Sequence, residues 1–161
     1  MAGRVRGMRV STVDNFNHSP RVTVSDLGDG IKSVQLSRED KMNSLDGEMF
    51  KAICHTAQEL KKDKSVRVVI MSGKGKAFCT GLDIKSVNMD SRKLLDRPAG
   101  TEISNMAQDV SYLWRQLDVP VIAVLHGMCF GGGLQIALGA DFRITTPDCK
   151  FSIMEAKWVG K

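Results

Sequence analysis

The sequence predicts an α/β protein with a mostly parallel sheet. Three observations lead there. Strand-like and helix-like segments alternate along the chain, the order that parallel sheets require. Two near-continuous apolar, β-branched runs, 66–71 and 121–125, read as strands buried on both faces. Ahead of each run lies a stripe of apolar residues at three- and four-residue steps, the mark of amphipathic helices. A length of 161 residues at 42% hydrophobic suits one domain around one core.

Residues 1–20 show no periodicity, end at Pro20 and read as a disordered tail; residues 21–161 carry the fold. Runs 21–26 and 31–36 read as two short strands around Gly28-Asp29-Gly30, since Asp-Gly between β-branched flanks signals a hairpin. Ser44 or Asp46 can cap the next helix, with Glu48 near its positive end. Its apolar face is Met49, Phe50, Ile53, Ala57 and Leu60, and it runs to about Lys62. After the strand at 66–71 come a Gly/Lys turn at 72–76, a small apolar stretch at 77–82, and a short helix starting at 83–85. Residues 88–100, with Pro98 and Gly100, read as a surface loop. Ile103, Met106, Ala107, Val110, Trp114 and Leu117 form a second helical stripe, ended before Pro120. The strand at 121–125 leads through glycines into a helix reaching about Leu138, and strands are expected at 142–145 and 150–153.

Composition excludes several classes of function. A net charge of +5 without a long Lys/Arg block argues against a nucleic-acid stripe and suits an anionic small molecule or a solvated basic surface. No apolar run approaches the length of a membrane span, so a soluble protein is expected. Cys54, Cys79, Cys129 and Cys149 form no C-x-x-C pair, and there are three histidines, so no zinc or other metal site is expected. The scattered cysteines suit reduced thiols in a reducing compartment. Arg4, Arg6 and Arg9 precede the first acid, Asp14, without the apolar core of a secretory signal. That stretch reads either as a short organelle-targeting leader or as a frayed tail.

Two segments can carry chemistry. In VIAVLHGMCFGGGLQIALGA, residues 121–140, a buried strand runs into Gly127 and then Gly131, Gly132 and Gly133 open a helix. Glycine lets the backbone approach a ligand, and a helix start leaves N–H groups without partners. Such a place can hold an anion or a developing oxyanion. Close strand–helix packing accounts for glycines equally well. There is no G-x-x-x-x-G-K-[ST] and no G-x-G-x-x-G, so neither a Walker A loop nor a dinucleotide fingerprint is present. The second segment, AFCTGLDIK at 77–85, also leaves a buried strand through small residues and a glycine. An N–H at Leu82 could supply the second donor of a two-donor hole.

FCTGLDIK, then HGMCFGGGLQIALGADFRI, then FSIMEAKW resemble the crotonase superfamily of enoyl-CoA hydratases and isomerases, over about residues 21–158. SREDKMNSLD resembles the family's early R-P-x-x-x-N-A-L segment, with Glu39 in place of the proline. The resemblance implies a crotonase-type ββα spiral (ClpP/crotonase-like) core, here lacking the C-terminal helical part. It implies that the N–H groups of Leu82 and Gly132 bind a thioester oxygen, flanked by Gly131 and Gly133. Thr80, Gly81, Asp83 and Ile84 are implied to line the coenzyme A site, with Lys41 and Met42 approaching it. The implied substrate is an acyl-CoA, so coenzyme A is part of the substrate and no separate cofactor is called for. Neither nucleic acid nor membrane is implied as a partner. A full-length form is implied to be a homotrimer or hexamer in mitochondria, peroxisomes or cytoplasm.

Family hydratases place one Glu two residues past the glycines and a second twenty residues later; here these positions are Gln135 and Glu155. Hydration uses two carboxylates around one water, as acid and base. An amide can orient water but exchanges no protons near neutral pH. Gln135 therefore argues against an efficient hydratase. One carboxylate under an oxyanion hole can instead take a proton from carbon and return it elsewhere, which is double-bond isomerisation. The leading expectation is an enoyl-CoA or dienoyl-CoA isomerase of fatty-acid β-oxidation with Glu155 as proton shuttle. A hydratase with Gln135 holding water, and an inactive CoA-binding or interaction protein, are the alternatives. Taken alone, a Glu near a strand end is ordinarily a solvated or capping residue. Relatives typically continue as W-G-L where this chain reads WVGK, so a C-terminal truncation is expected.

Overall fold

The computed structural model describes residues 20–86 and 104–157. Its main sheet has five strands in the order β1-β2-β3-β4-β6. β1 (Val22–Asp26) and β2 (Ile31–Leu36) form the expected antiparallel hairpin, with Val24 opposite Val34. Asp29 sits at φ 52 in the turn between them. β3 (Val68–Gly73) lies parallel to β2, β4 (Val121–Leu125) parallel to β3, and β6 (Phe142–Thr145) parallel to β4.

Helix α1 (Gly47–Lys62) begins at Asp46, whose carboxylate accepts the Met49 N–H at 2.8 Å. Glu48 in the first turn and Lys61 and Lys62 in the last complement the helix dipole. Its buried face includes Met49, Phe50, Ile53, Ala57 and Leu60, the stripe read from the sequence. These residues share one core with Val34 and Leu36 of β2, Val69 and Met71 of β3, and Val121 and Ala123 of β4. Helix α2 (Met106–Tyr112) carries a capping box between Asn105 and Gln108 and passes into a short 3-10 turn at Leu113–Gln116. Trp114 is a packing residue there: it is buried, and its indole N–H donates to the Val110 carbonyl. No helix among the described residues is long and apolar enough to cross a membrane.

Five expectations are corrected. β3 starts and ends two residues later than the apolar run suggested. β3 and β4 are not buried equally on both faces; burial alternates along each, with one face closed and the other partly open. Residues 84–86 form a turn closed by the Ser86 N–H on the Asp83 carbonyl rather than the start of a helix. The stretch after Gly127, read as glycines leading straight to a helix, first forms β5 (Met128–Phe130). β5 pairs in parallel with β7 (Lys150–Ser152), one residue shorter than expected, as a second, two-stranded sheet. Three residues are too few for a readable alternation, which is why β5 escaped the pattern. The loop expected at 88–100 and the tail expected at 1–20, except Pro20, lie outside the described residues.

Candidate active site

The site is built where two irregular segments abut. The first, residues 77–82, leaves the main sheet and joins the second. Cys79 donates its N–H to the Met128 carbonyl and accepts the Phe130 N–H, and bridges in parallel to Cys129. The second segment turns at Gly131, whose N–H bonds the Ser152 carbonyl, and opens α3 (Gly132–Leu138). The Gln135 N–H closes the first turn on the Gly131 carbonyl at 3.0 Å.

Two glycines allow this approach. Gly81 sits at φ +84, and a Cβ on it would stand 2.8 Å from the Phe130 carbonyl and 3.2 Å from the Gly132 nitrogen. A Cβ on Gly133 would stand 2.4 Å from the Cys79 carbonyl oxygen, too close without moving backbone. Gly133→Ala is therefore expected to destabilise the protein by about 1–3 kcal/mol in urea unfolding. Gly132→Ala is expected to cost less, because its Cβ meets only the flexible end of Leu45, Cδ1. Equal losses for the two would remove the close-approach explanation.

The Leu82 donor is oriented by Leu45. The Leu45 N–H bonds the Gly81 carbonyl at 2.8 Å and its carbonyl accepts the Asp83 N–H at 3.0 Å. A residue bridged in this way through its two neighbours turns its own N–H to the opposite side. Among the described residues, the Leu82 N–H donates to no backbone carbonyl. Nor does that of Gly132, which as the first residue of α3 has no acceptor within the helix. Both residues line one cavity of about 210 Å³, with Thr80, Gly81, Ile84, Gly131, Met154 and Glu155. Leu82 and Ile84 are 46% and 69% exposed and, with Met154, make its wall largely apolar. Glu155, on a 3-10 turn after β7 (Met154–Lys157), brings Oε1 to 3.6 Å from the point a Cβ on Gly131 would occupy. Among the described residues, it is the one ionisable side chain in the lining. Two larger depressions of about 300 Å³ each lie around Lys61 at the end of α1, with charged walls and none of this glycine backbone.

Seven of the twelve residues singled out in the sequence thus meet in one cavity. The other five do not line it. Gln135 is exposed on α3, and its carbonyl accepts the Ser111 hydroxyl. Gly133 is buried behind the cavity against Cys79. Met42 reaches its neighbour, since its carbonyl accepts the Thr80 N–H, and Lys41 beside it is exposed. Asp83 turns away to form an ion pair with Arg38 at 2.8 Å. Hydrogen bonding from Ser86, reinforced by Arg38, holds the Asp83 carboxyl below the usual carboxylate range. Burial pushes the Cys79 and Cys129 thiols up to about 12, so both serve as packing rather than as nucleophiles.

Sequence reasoning missed Met154 in the lining and three residues behind it: Arg38, Asn43 and Leu45. Asn43, fully buried at φ 55, donates Nδ2 to the carbonyls of Lys74, Ala77 and Phe78. Its Oδ1 accepts the Arg38 N–H at 2.8 Å. The only signal for these three was their place in the SREDKMNSLD segment, which named a resemblance but no task.

Solved enoyl-CoA hydratases share this arrangement of strands and helices. That of Mycobacterium smegmatis superimposes with a TM-score of 0.76 at 27% identity, over 88% of this chain and 53% of that one. The fold class is therefore the crotonase type expected from the sequence. A family model described as enoyl-CoA hydratase/isomerase matches residues 31–158. The chain belongs to the enoyl-CoA hydratase/isomerase family. Among curated relatives, the mitochondrial Δ(3,5)-Δ(2,4)-dienoyl-CoA isomerase of Mus musculus is 32% identical over 132 residues, 76% of this chain and 39% of its own length. The (E)-benzylidenesuccinyl-CoA hydratase of Thauera aromatica is 32% identical over 135 residues, 82% of this chain and 50% of its own. The chain spans half or less of the length of these curated relatives.

Proposed function

We propose that this chain binds an acyl-CoA thioester and moves a double bond in its acyl part. The thioester oxygen accepts from the Leu82 and Gly132 N–H groups, which are aimed where negative charge develops on enolisation. Glu155 takes a proton from the acyl carbon chain, leaving a dienolate on the thioester. The same carboxylic acid then returns the proton at another carbon, so the bond shifts with no atom gained or lost. The observation that carries this reading is that, among the described residues, Glu155 is the one ionisable side chain lining the cavity that Leu82 and Gly132 share. The apolar wall of Leu82, Ile84 and Met154 suits an acyl chain. Such a step belongs in fatty-acid β-oxidation, where unsaturated chains need a bond relocated.

A hydratase is the second reading, favoured by the Thauera aromatica relative's name. It requires a second proton-handling group, and the Gln135 position offers an amide outside the cavity lining. A panel of 2-enoyl, 3-enoyl and 3,5-dienoyl thioesters separates the two. Isomer formation from the 3-enoyl or 3,5-dienoyl substrate at unchanged mass is expected. Gain of one water by the 2-enoyl substrate would replace this reading with the hydratase. Binding without any turnover would leave a CoA-binding protein instead.

A further inference from the structure

Behind the cavity sits a buried charge, Arg38. It is 8% exposed, and its guanidinium holds three partners on two segments. Nη2 meets Asp83 Oδ2 at 2.8 Å. Nη1 donates to the Ser44 carbonyl at 3.0 Å and hydroxyl at 3.1 Å. Nε lies 3.4 Å from Asp46 Oδ2, the carboxylate that also caps α1 and pairs with Arg21 at 2.7 Å. Ser44 and Asp46 flank Leu45, and Asp83 follows Leu82. The guanidinium therefore ties both sides of Leu45 to the residue next to the cavity donor. The Leu45 side chain in turn touches Gly132, the other donor, since a Cβ there would lie 2.7 Å from Leu45 Cδ1.

We infer that Arg38 is a positioning residue, which sets the direction of the Leu82 N–H through Asp83 and the Leu45 bridge. The inference rests on the thioester reading of the cavity. Its physical basis is the planar, always charged fork of Arg, which holds several acceptors at fixed angles where a lysine holds one or two. Two backbone hydrogen bonds join Leu45 to the neighbours of Leu82, and the Asp83–Arg38 pair adds a third, side-chain anchor.

The test uses two ligands on the full chain. One is a dialkylamino-cinnamoyl-CoA, whose absorbance moves to the red when its carbonyl is polarised. The other is an alkyl-CoA thioether, which keeps the coenzyme and chain but has no carbonyl. Arg38→Met is expected to lose most of the red shift and to weaken the thioester about tenfold, the scale of one well-placed hydrogen bond. Thioether affinity is expected to hold, and Arg38→Lys to recover part of the shift. Asp83→Asn provides the second route should Arg38→Met fold poorly. It leaves Arg38 on Ser44 and Asp46 and is expected to lose the shift in the same way. A full red shift in folded Arg38→Met or in Asp83→Asn overturns the inference, as does equal weakening of thioester and thioether. Absence of any red shift in the unmodified protein overturns the thioester reading itself, and the positioning role with it.

Discussion

Glu155→Gln is expected to abolish double-bond migration, lowering kcat by about 10³–10⁴-fold, the upper range for a group that performs the proton transfer itself. The amide keeps the shape and the apolar contacts of the side chain, so thioester affinity is expected to persist. That split separates a proton carrier from a residue that merely shapes the wall. The reasoning rests on inventory. Among the described residues, the cavity lining holds Leu82 and Gly132, whose N–H groups meet no backbone carbonyl, one hydroxyl at Thr80, apolar side chains and a single carboxylate. With Glu155 neutralised, no other lining group among the described residues can accept a proton from carbon. The measurement is single-turnover conversion of a 3-enoyl or 3,5-dienoyl thioester, run also in deuterium oxide. Because Glu155 is exposed, its acid can trade the proton with solvent before returning one, so the unmodified protein is expected to place deuterium on the substrate, and the variant to lose exchange and migration together. Turnover in the variant equal to the unmodified protein would sink the role. The hydratase reading adds its own demand, that Gln135→Ala abolish turnover as well.

Asn43→Ala is expected to cost the most stability of any single polar substitution in the site, about 3 kcal/mol or more. Its Oδ1 accepts the Arg38 N–H, and its two amide hydrogens are shared among the carbonyls of Lys74, Ala77 and Phe78. Alanine leaves the buried ones, the Arg38 N–H and the Ala77 and Phe78 carbonyls, without the partner, at about 1–3 kcal/mol for each one left unsatisfied. Asn43 also stands at φ 55, a left-handed conformation that Asn tolerates far better than alanine does. Asn43→Asp is expected to be at least as damaging, because it sets an acceptor, and a charge, against carbonyl oxygens. Urea unfolding midpoints with an unchanged slope are the measurement. A loss below about 1 kcal/mol for the alanine variant would mean that the turn at 74–78 holds without Asn43. Residues 77–79 lead directly to the Leu82 donor, so the two substitutions probe the chemistry of the cavity and the frame under it.

The elements legible in the sequence were those with long periodic patterns. The α1 stripe from Met49 to Leu60 and its Asp46 cap could be read because a 3.6-residue period over four turns has no competing explanation. The hairpin at Gly28-Asp29-Gly30 could be read from its turn chemistry. β5 could not, since its pairing partner β7 is about twenty residues away and three residues carry no period. The even burial expected for β3 and β4 failed because an apolar run does not say which neighbour covers each face.

By itself the sequence determined the α/β class, the two glycine-bearing segments, and the departure at Gln135 from a pair of carboxylates. These are local: they depend on residue type and spacing along one stretch of chain. The tertiary structure alone decided that Leu82, Gly132 and Glu155 face one cavity while Gln135 and Asp83 do not line it. It alone gave Arg38, Asn43 and Leu45 their tasks. Those tasks depend on contacts from Asn43 to Lys74 and Ala77 and from Arg38 to Asp83, which join residues more than thirty positions apart. Their strength comes from burial and from fixed angles among several partners, quantities that exist only once the chain has closed on itself.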